Sequence, residues 1–223
     1  MTEQEINTTR LELKETFSQI IKSHPQGMTF TTVMEGVVHN LQGIVFKDEH
    51  PFELALGAAM LAIIENGLYV ADFVKVYNHY HPEHPLTTAA WFAKTDPEPT
   101  AERLNAQFGC HLEEVAEMFP EIKSDREDLN DKMRLIWTLL SEVGKEFKEG
   151  RANLEVLNGG KLLDSVGDQF VTGTGLAQLA KLPVAEAVAR IDVSNFTKFE
   201  NGVVLYKDGG KVKKGKFFTE PAL

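Results

Sequence analysis

The sequence is poor in the features that mark several large classes of protein. It has a single cysteine among 223 residues, so no disulfide can form within one chain, which fits a reducing compartment. Lysine and arginine number 23 against 33 acidic residues, which leaves a formal net charge of −10. A nucleic-acid or anionic-membrane partner requires a basic surface, and we therefore expect neither.

Long hydrophobic runs are also absent. The most apolar run, residues 54–64, ends at Glu65 and is well short of the roughly 20 residues that span a bilayer. The N-terminal residues are charged and lack the apolar core of a signal peptide. The hydrophobic content of 43% with 25% charged residues is ordinary for a soluble globular protein. We expect a cytoplasmic protein.

Apolar residues recur at helical spacing through most of the chain, which predicts an all-α fold. The predicted helices cover residues 3–23, 33–44, 51–80 and 101–119, and a further one lies between Ser124–Glu127 and Gly150; they are followed by one over 161–180 and one that begins at Pro183. Thr100 is a predicted N-cap and Ser124–Glu127 a predicted capping box. The inward face of the last helix is predicted to carry Val184, Ala187, Val188 and Ile191.

Prolines divide the chain. Pro82, Pro85, Pro97 and Pro99 indicate a linker, so we expect an N-terminal helical region of unassigned role over residues 1–95 and a second domain over 96–223. His79, His81 and His84 lie in or beside this linker, and exposed linker histidines explain them better than a metal site. At the other end, a lysine-rich arm carries a predicted turn at residues 208–210 between two extended pieces, 203–206 and 211–218.

The stretch over residues 161–180 is apolar or small on nearly every side of the predicted helix. Asp164 and Asp168 are the only charges between residues 162 and 180, and they lie one turn apart on the same face. A helix that is hydrophobic all round is expected to be buried, and unpaired carboxylates are costly to bury. The pattern therefore predicts a metal cation beside them.

A second acidic group, Glu113, Glu114 and Glu117, lies opposite an apolar stripe. Such a group is usually a solvated face, and it gains interest only because the later helix carries two carboxylates that need a cation. Glu142 and Glu146 form an alternative acidic pair, which the neighbouring Lys145 and Lys148 mark mainly as a surface feature.

Three stretches in this order resemble the MazG-like family of all-α nucleoside triphosphate pyrophosphohydrolases, which includes phage and bacterial phosphoribosyl-ATP pyrophosphohydrolase-like members. They are HLEEVAE at residues 111–117, LLDSVGD at 162–168, and SNFTKF at 194–199 followed by GGKVKKGKFF at 209–218. The likeness covers roughly residues 100–223. Ser165 stands where the family pattern has a glutamate, and Asp164 is the residue that can replace it.

The resemblance implies a MazG-like helical bundle with a short extended C-terminal arm. It implies hydrolysis of a nucleoside triphosphate to the monophosphate and pyrophosphate, in nucleotide-pool housekeeping, with Mg²⁺ as cofactor and Mn²⁺ as the alternative. Glu113 or Glu114 would accept the proton of the attacking water. The implied metal ligands are Glu114, Glu117, Asp164 and Asp168. The implied substrate-binding residues are Asn195, Lys198, Lys211 and Lys214.

Other functions stay open at this point. The same fold could act on phosphoribosyl-ATP or on a modified deoxynucleotide, and a non-catalytic bundle could use its acidic face to bind a metal or a partner protein. The helices over residues 51–80 and 161–180 carry more apolar surface than a thin bundle covers, so we expect a homodimer or a higher homo-oligomer.

Overall fold

A computed structural model describes residues 1–25, 29–47, 50–207 and 211–223, without the side chain of Phe46. In this part of the chain the structure is all-α, as predicted, and contains no β-strand. The helices are α1 (Glu3–Ser23), α2 (Phe30–Phe46), α3 (Phe52–Glu65), α4 (Val70–Tyr80), α5 (Thr88–Thr95), α6 (Ala101–Glu117), α7 (Glu127–Lys148), α8 (Gly159–Leu179) and α9 (Val184–Phe196).

The chain forms two compact units. One, which we call the discontinuous unit, is built from residues 1–95, 165–205 and 213–223. The other, the hairpin unit, is built from residues 96–164 and 206–212. The predicted domain division at residue 96 stays a prediction.

The core of the discontinuous unit is centred on α3. This helix is apolar on most faces, so it is surrounded: α1, α2 and α9 pack against it, and α4 packs against both α2 and α9. The C-terminal segment closes the same core, with Phe217 buried and the Arg10 guanidinium donating to the carbonyl oxygens of Phe217 (3.1 Å) and Phe218 (3.2 Å). Residues from both ends of the sequence therefore share one core.

The single helix predicted over residues 51–80 is wrong, because the chain breaks between α3 and α4. Gly67 has φ +71°, a left-handed conformation that favours glycine and ends α3. The N-terminus of α4 is then held by a carboxylate from α9: Glu186 accepts from the backbone N–H groups of Val70 and Ala71, both at 2.9 Å. A negative charge is favourable there because it meets unsatisfied N–H groups and the positive end of the helix dipole.

The predicted linker also contains a helix that the pattern did not indicate, α5. It has eight residues, too few for local propensity to stabilise it alone. Its buried residue Trp91 is fixed by tertiary contact, since the indole Nε1 donates to the backbone oxygen of Asn195 on α9 at 3.1 Å.

The hairpin unit is a pair of antiparallel helices, α6 and α7, joined by a 3-10 turn at Phe119–Glu121. Thr100 caps α6 as predicted, accepting from the backbone N–H of Arg103 at 3.2 Å. The capping box at residues 124–127 is wrong: α7 begins at Glu127, and the Ser124 hydroxyl instead accepts from the N–H of Arg126. Gly150 follows α7 with φ +69°, as expected of a helix stop.

Helix α8 is the clearest departure from expectation. It was predicted to be buried, yet none of its residues is buried, and within each unit no described helix packs against the part of α8 that belongs to that unit. Phe170 is 75% exposed and Leu179 86% exposed. The all-round apolar composition is real, but no described helix of the same unit covers it.

The inward face predicted for α9 is also wrong. Val188 and Ile191 are exposed, whereas Glu186, Ala189, Asp192 and Val193 are buried. Glu186 and Asp192 can be buried because each accepts a hydrogen bond. A prediction of the inward face from hydrophobicity alone leaves such residues out.

The C-terminal arm contains two isolated antiparallel bridges, Glu200 with Val203 and Tyr206 with Val212. The turn predicted at residues 208–210 lies outside the described residues. Among the helices that are described, none is long and apolar enough to cross a bilayer.

Candidate functional site

The acidic face of α6 is shaped by the way α6 and α7 cross. Gly109 and Gly144 face each other at the crossing, and a Cβ built on Gly109 would lie 2.5 Å from the carbonyl oxygen of Gly144. The absence of both side chains lets the two backbones approach closely. This approach brings Lys148, near the end of α7, beside Glu113 on α6.

Glu113 is held between two lysines of the hairpin unit. One carboxylate oxygen accepts a hydrogen bond from the ammonium group of Lys148, and the other lies 3.6 Å from Nζ of Lys211. Burial alone would raise the pKa of Glu113, but the two ammonium groups outweigh it and hold this pKa below its usual value. Glu113 is therefore a carboxylate at neutral pH.

The charges of Lys148 and Lys211 also act on the thiol of Cys110. Cys110 lies one turn before Glu113 and is half-buried, and burial raises the pKa of its thiol. The positive charges of Lys211 and Lys148 act in the opposite direction. The pKa of the only cysteine in the sequence therefore depends on the charges of these two lysines.

Glu114 and Glu117 are exposed on the last turns of α6, three residues apart and hence on the same side of the helix. In the described residues, no group of three or more histidine, cysteine, aspartate or glutamate side chains is close enough to hold a metal ion. Within these described residues, α6 therefore offers the exposed carboxylates of Glu114 and Glu117 and no cluster of three metal ligands.

The other two predicted metal ligands lie on α8. Asp164 and Asp168 are one turn apart, as predicted, but both are exposed, so the argument from burial does not apply within one chain. Asp164 belongs to the hairpin unit and Asp168 to the discontinuous unit. The pairing of the α6 and α8 carboxylates stays a prediction.

The alternative acidic pair on α7 is engaged elsewhere. Glu146 receives two hydrogen bonds from the Arg151 guanidinium, at 2.9 and 2.7 Å, and these hold its pKa below the usual value. Glu142 is exposed. An arginine bound in this bidentate way competes with any cation, so the pair is a poor metal site.

Asn195 and Lys198, the substrate-binding residues implied by the resemblance, lie together in the discontinuous unit. The Lys198 ammonium donates to Oδ1 of Asn195 at 2.5 Å and stands 5.5 Å from the centre of the Trp91 ring. The Trp91 indole in turn donates to the Asn195 backbone. The three residues form one linked polar group on α5, α9 and the turn that follows.

Lys211 and Lys214 are held by different partners. Lys211 meets Glu113 within the hairpin unit, whereas Lys214 belongs to the discontinuous unit, where it donates to Glu220 at 2.9 Å and stacks over Phe218. The sequence pattern did not indicate Trp91, which contacts Asn195, or Lys148, which contacts Glu113. A signal for Lys148 existed in the glycines at 109 and 144, which predict a close helix crossing, but their pairing cannot be recognised before the hairpin is known.

Compared with models of known protein families, with curated proteins and with solved structures, this chain shows no significant match. The resemblance to the MazG-like family thus depends on the three quoted stretches alone.

Proposed function

We propose that the protein is a Mg²⁺-dependent pyrophosphohydrolase that converts a nucleoside triphosphate, or a related nucleotide, to its monophosphate and pyrophosphate. The observation that carries the proposal is the acidic end of α6, where Glu113, Glu114 and Glu117 share one region with Lys148 and Lys211. Phosphate chemistry needs both signs of charge in one place, carboxylates for the cation and ammonium groups for phosphate oxygens.

The residues on α6 fit Mg²⁺ by their chemistry. Magnesium prefers oxygen ligands, keeps several waters, and is commonly bound through one or two carboxylates together with substrate phosphates. Glu114 and Glu117 supply such a pair, and Asp164 and Asp168 are the further carboxylates that the resemblance implies. When bound, the cation would neutralise phosphate charge. Mn²⁺, which also binds oxygen ligands, is the alternative ion.

The chain's own residues would divide the remaining work. Glu113 or Glu114 accepts the proton of the attacking water. Lys211 and Lys214 meet phosphate charge as flexible point charges. Asn195 and Lys198 contact the substrate, and Trp91 holds Asn195 in position through the backbone hydrogen bond.

A second copy of the chain is part of this proposal, because α8 needs a cover. Besides Phe170 and Leu179, the uncovered apolar side chains on and beside this helix are Leu157, Leu162, Leu163, Val166, Val171, Leu176 and Leu182. Their combined surface is on the order of 1,000 Å² per copy, similar to the roughly 800 Å² per partner that a stable interface buries. A homodimer would bury this surface and remove Asp164 and Asp168 from bulk water.

The test is a pyrophosphate-release assay with Mg²⁺ across the common ribo- and deoxynucleoside triphosphates, with phosphoribosyl-ATP and a modified pyrimidine deoxynucleotide as further substrates. We expect Mg²⁺-dependent release from at least one of them. Glu117→Gln and Asp168→Asn should each lose most of that activity, whereas Glu142→Gln, in the alternative acidic pair, should retain it.

A non-catalytic bundle gives a different pattern. No substrate would release pyrophosphate, and a rise of the wild-type melting temperature with Mg²⁺ would separate a metal-binding bundle from one that binds only a partner protein. The absence of pyrophosphate release from every substrate would overturn the proposed function.

A further inference from the structure

Lys148 differs from the other lysines of α7 in how firmly it is held. Its stem lies over Gly109, where an added Cβ would come within 2.7 Å of the lysine Cγ, and its side chain is only 22% exposed. Lys145, one turn earlier, is 64% exposed, and its Nζ lies 4.0 Å from the carboxylate of Glu149. The crossing of the two helices therefore fixes the position of one ammonium group and leaves the other in solvent.

Glu113 is contacted by two ammonium groups. They come from the end of α7 and from the C-terminal arm, and one meets each carboxylate oxygen. A simple salt bridge between α6 and α7 would need only Lys148. Two cations from separate segments that converge on one small anion are arranged as they would be around a larger anion with several oxygens.

We propose that Lys148 and Lys211 together bind the pyrophosphate portion of the substrate, and that Glu113 occupies this position until the substrate arrives. The inference rests on the proposed function and adds to it a residue, Lys148, that neither the sequence pattern nor the family resemblance indicates. Binding exchanges partners: phosphate oxygens replace the Glu113 carboxylate at the two ammonium groups, and Glu113 is released from the lysines. No covalent bond changes in this exchange.

Glu113 therefore competes with pyrophosphate for the two lysines. Removing a lysine should weaken the binding of pyrophosphate, whereas removing the Glu113 carboxylate should strengthen it. Pyrophosphate binding is measured by isothermal titration calorimetry on the full chain, with and without Mg²⁺. Lys148→Gln should weaken binding by about tenfold to a hundredfold, the effect of losing one charge-assisted hydrogen bond. Lys145→Gln, the matched control on the same helix, should bind as the wild type does.

Glu113→Gln provides the opposite result. Removing the competing carboxylate should tighten the binding of metal-free pyrophosphate, whereas the loss of a purely structural salt bridge would leave this affinity unchanged. The rate at which a thiol reagent labels Cys110 gives a second readout, because bound pyrophosphate covers the positive charges that favour the thiolate. Labelling should slow on adding pyrophosphate in the wild type and in Lys145→Gln, but not in Lys148→Gln.

The outcomes separate this inference from the proposed function. If the wild type hydrolyses a nucleotide and Lys148→Gln binds pyrophosphate as tightly as Lys145→Gln does, the lysine site is wrong and the function stands. If no nucleotide is hydrolysed but pyrophosphate binding depends on Lys148, the site stands and the function is wrong. Unchanged affinity in Glu113→Gln would overturn the exchange of partners.

Discussion

Asp192 is a buried carboxylate whose hydrogen-bond donors are neutral groups of Thr88. It lies on the inward face of α9 and accepts a hydrogen bond from the Thr88 hydroxyl at 2.6 Å. Burial raises the pKa of Asp192, and hydrogen bonds from the hydroxyl and the backbone of Thr88 offset only part of that rise. At pH values above the pKa of folded Asp192, the folded state therefore carries a desolvation cost that these hydrogen bonds only partly offset.

We therefore expect Asp192→Asn to be more stable than the wild type near neutral pH, since the amide oxygen can still accept from Thr88. A raised pKa means that the folded state takes up its proton first as the pH falls. The stability difference should thus shrink as the pH is lowered through the pKa of folded Asp192. Thermal melts of both proteins over this pH range measure it, and a variant less stable than the wild type at neutral pH would contradict the argument.

Single residues also show what the sequence could and could not predict about the site. The carboxylates at 113, 114 and 117 were found because helical spacing places them on one face before any tertiary contact is known. Lys148 and Trp91 were missed because their roles depend on partners far along the chain, Glu113 and Asn195. Long-range contacts of this kind leave no periodic signal in the sequence.

The crossing of α6 and α7 depends on glycine rather than on a large side chain. Gly109→Ala should destabilise the chain by about 1–3 kcal/mol, because the new Cβ would meet backbone atoms, the Gly144 oxygen and, at 3.0 Å, the Lys148 nitrogen. Gly43→Ala is the matched control in α2, where nothing lies within 4 Å, and should gain about 0.5–1 kcal/mol of helix propensity. Urea denaturation of both variants measures the difference, and equal effects would disprove the close crossing.

At the level of helices, the sequence predicted those whose stability is largely local. Helices α1 and α6 begin at threonine caps, and the start of α9 after Pro183 was also predicted. The break at Gly67 was missed because the apolar pattern continues through it, and α5 was missed because the hydrogen bonds that hold it, from Thr88 and Trp91, are made to α9. The orientation of α9 was wrong because its inward face buries Glu186 and Asp192, which are acceptable inside only with the partners they have.

For the whole molecule, the proposed homodimer depends on the exposed apolar surface of α8. Phe170→Asp should not destabilise an isolated copy, because the side chain is already exposed there, but it should abolish or strongly weaken association. Leu11→Asp on α1, at a residue that is also exposed, should leave the assembly intact. Light scattering coupled to gel filtration at micromolar concentration gives the masses. If the wild type is monomeric, the proposed homodimer is wrong and the apolar character of α8 has no explanation.

The shared core of the discontinuous unit also determines when the protein can fold during its synthesis. The ribosome releases α3 and α4 early, but the groups that complete their surroundings, Glu186 and the segment around Phe217, are translated more than a hundred residues later. The α6–α7 hairpin, by contrast, joins neighbouring stretches and can pack as soon as it emerges, because local contacts form fast. The nascent chain therefore holds a finished hairpin while its first helices still expose apolar surface, which is when a chaperone would have the most to bind.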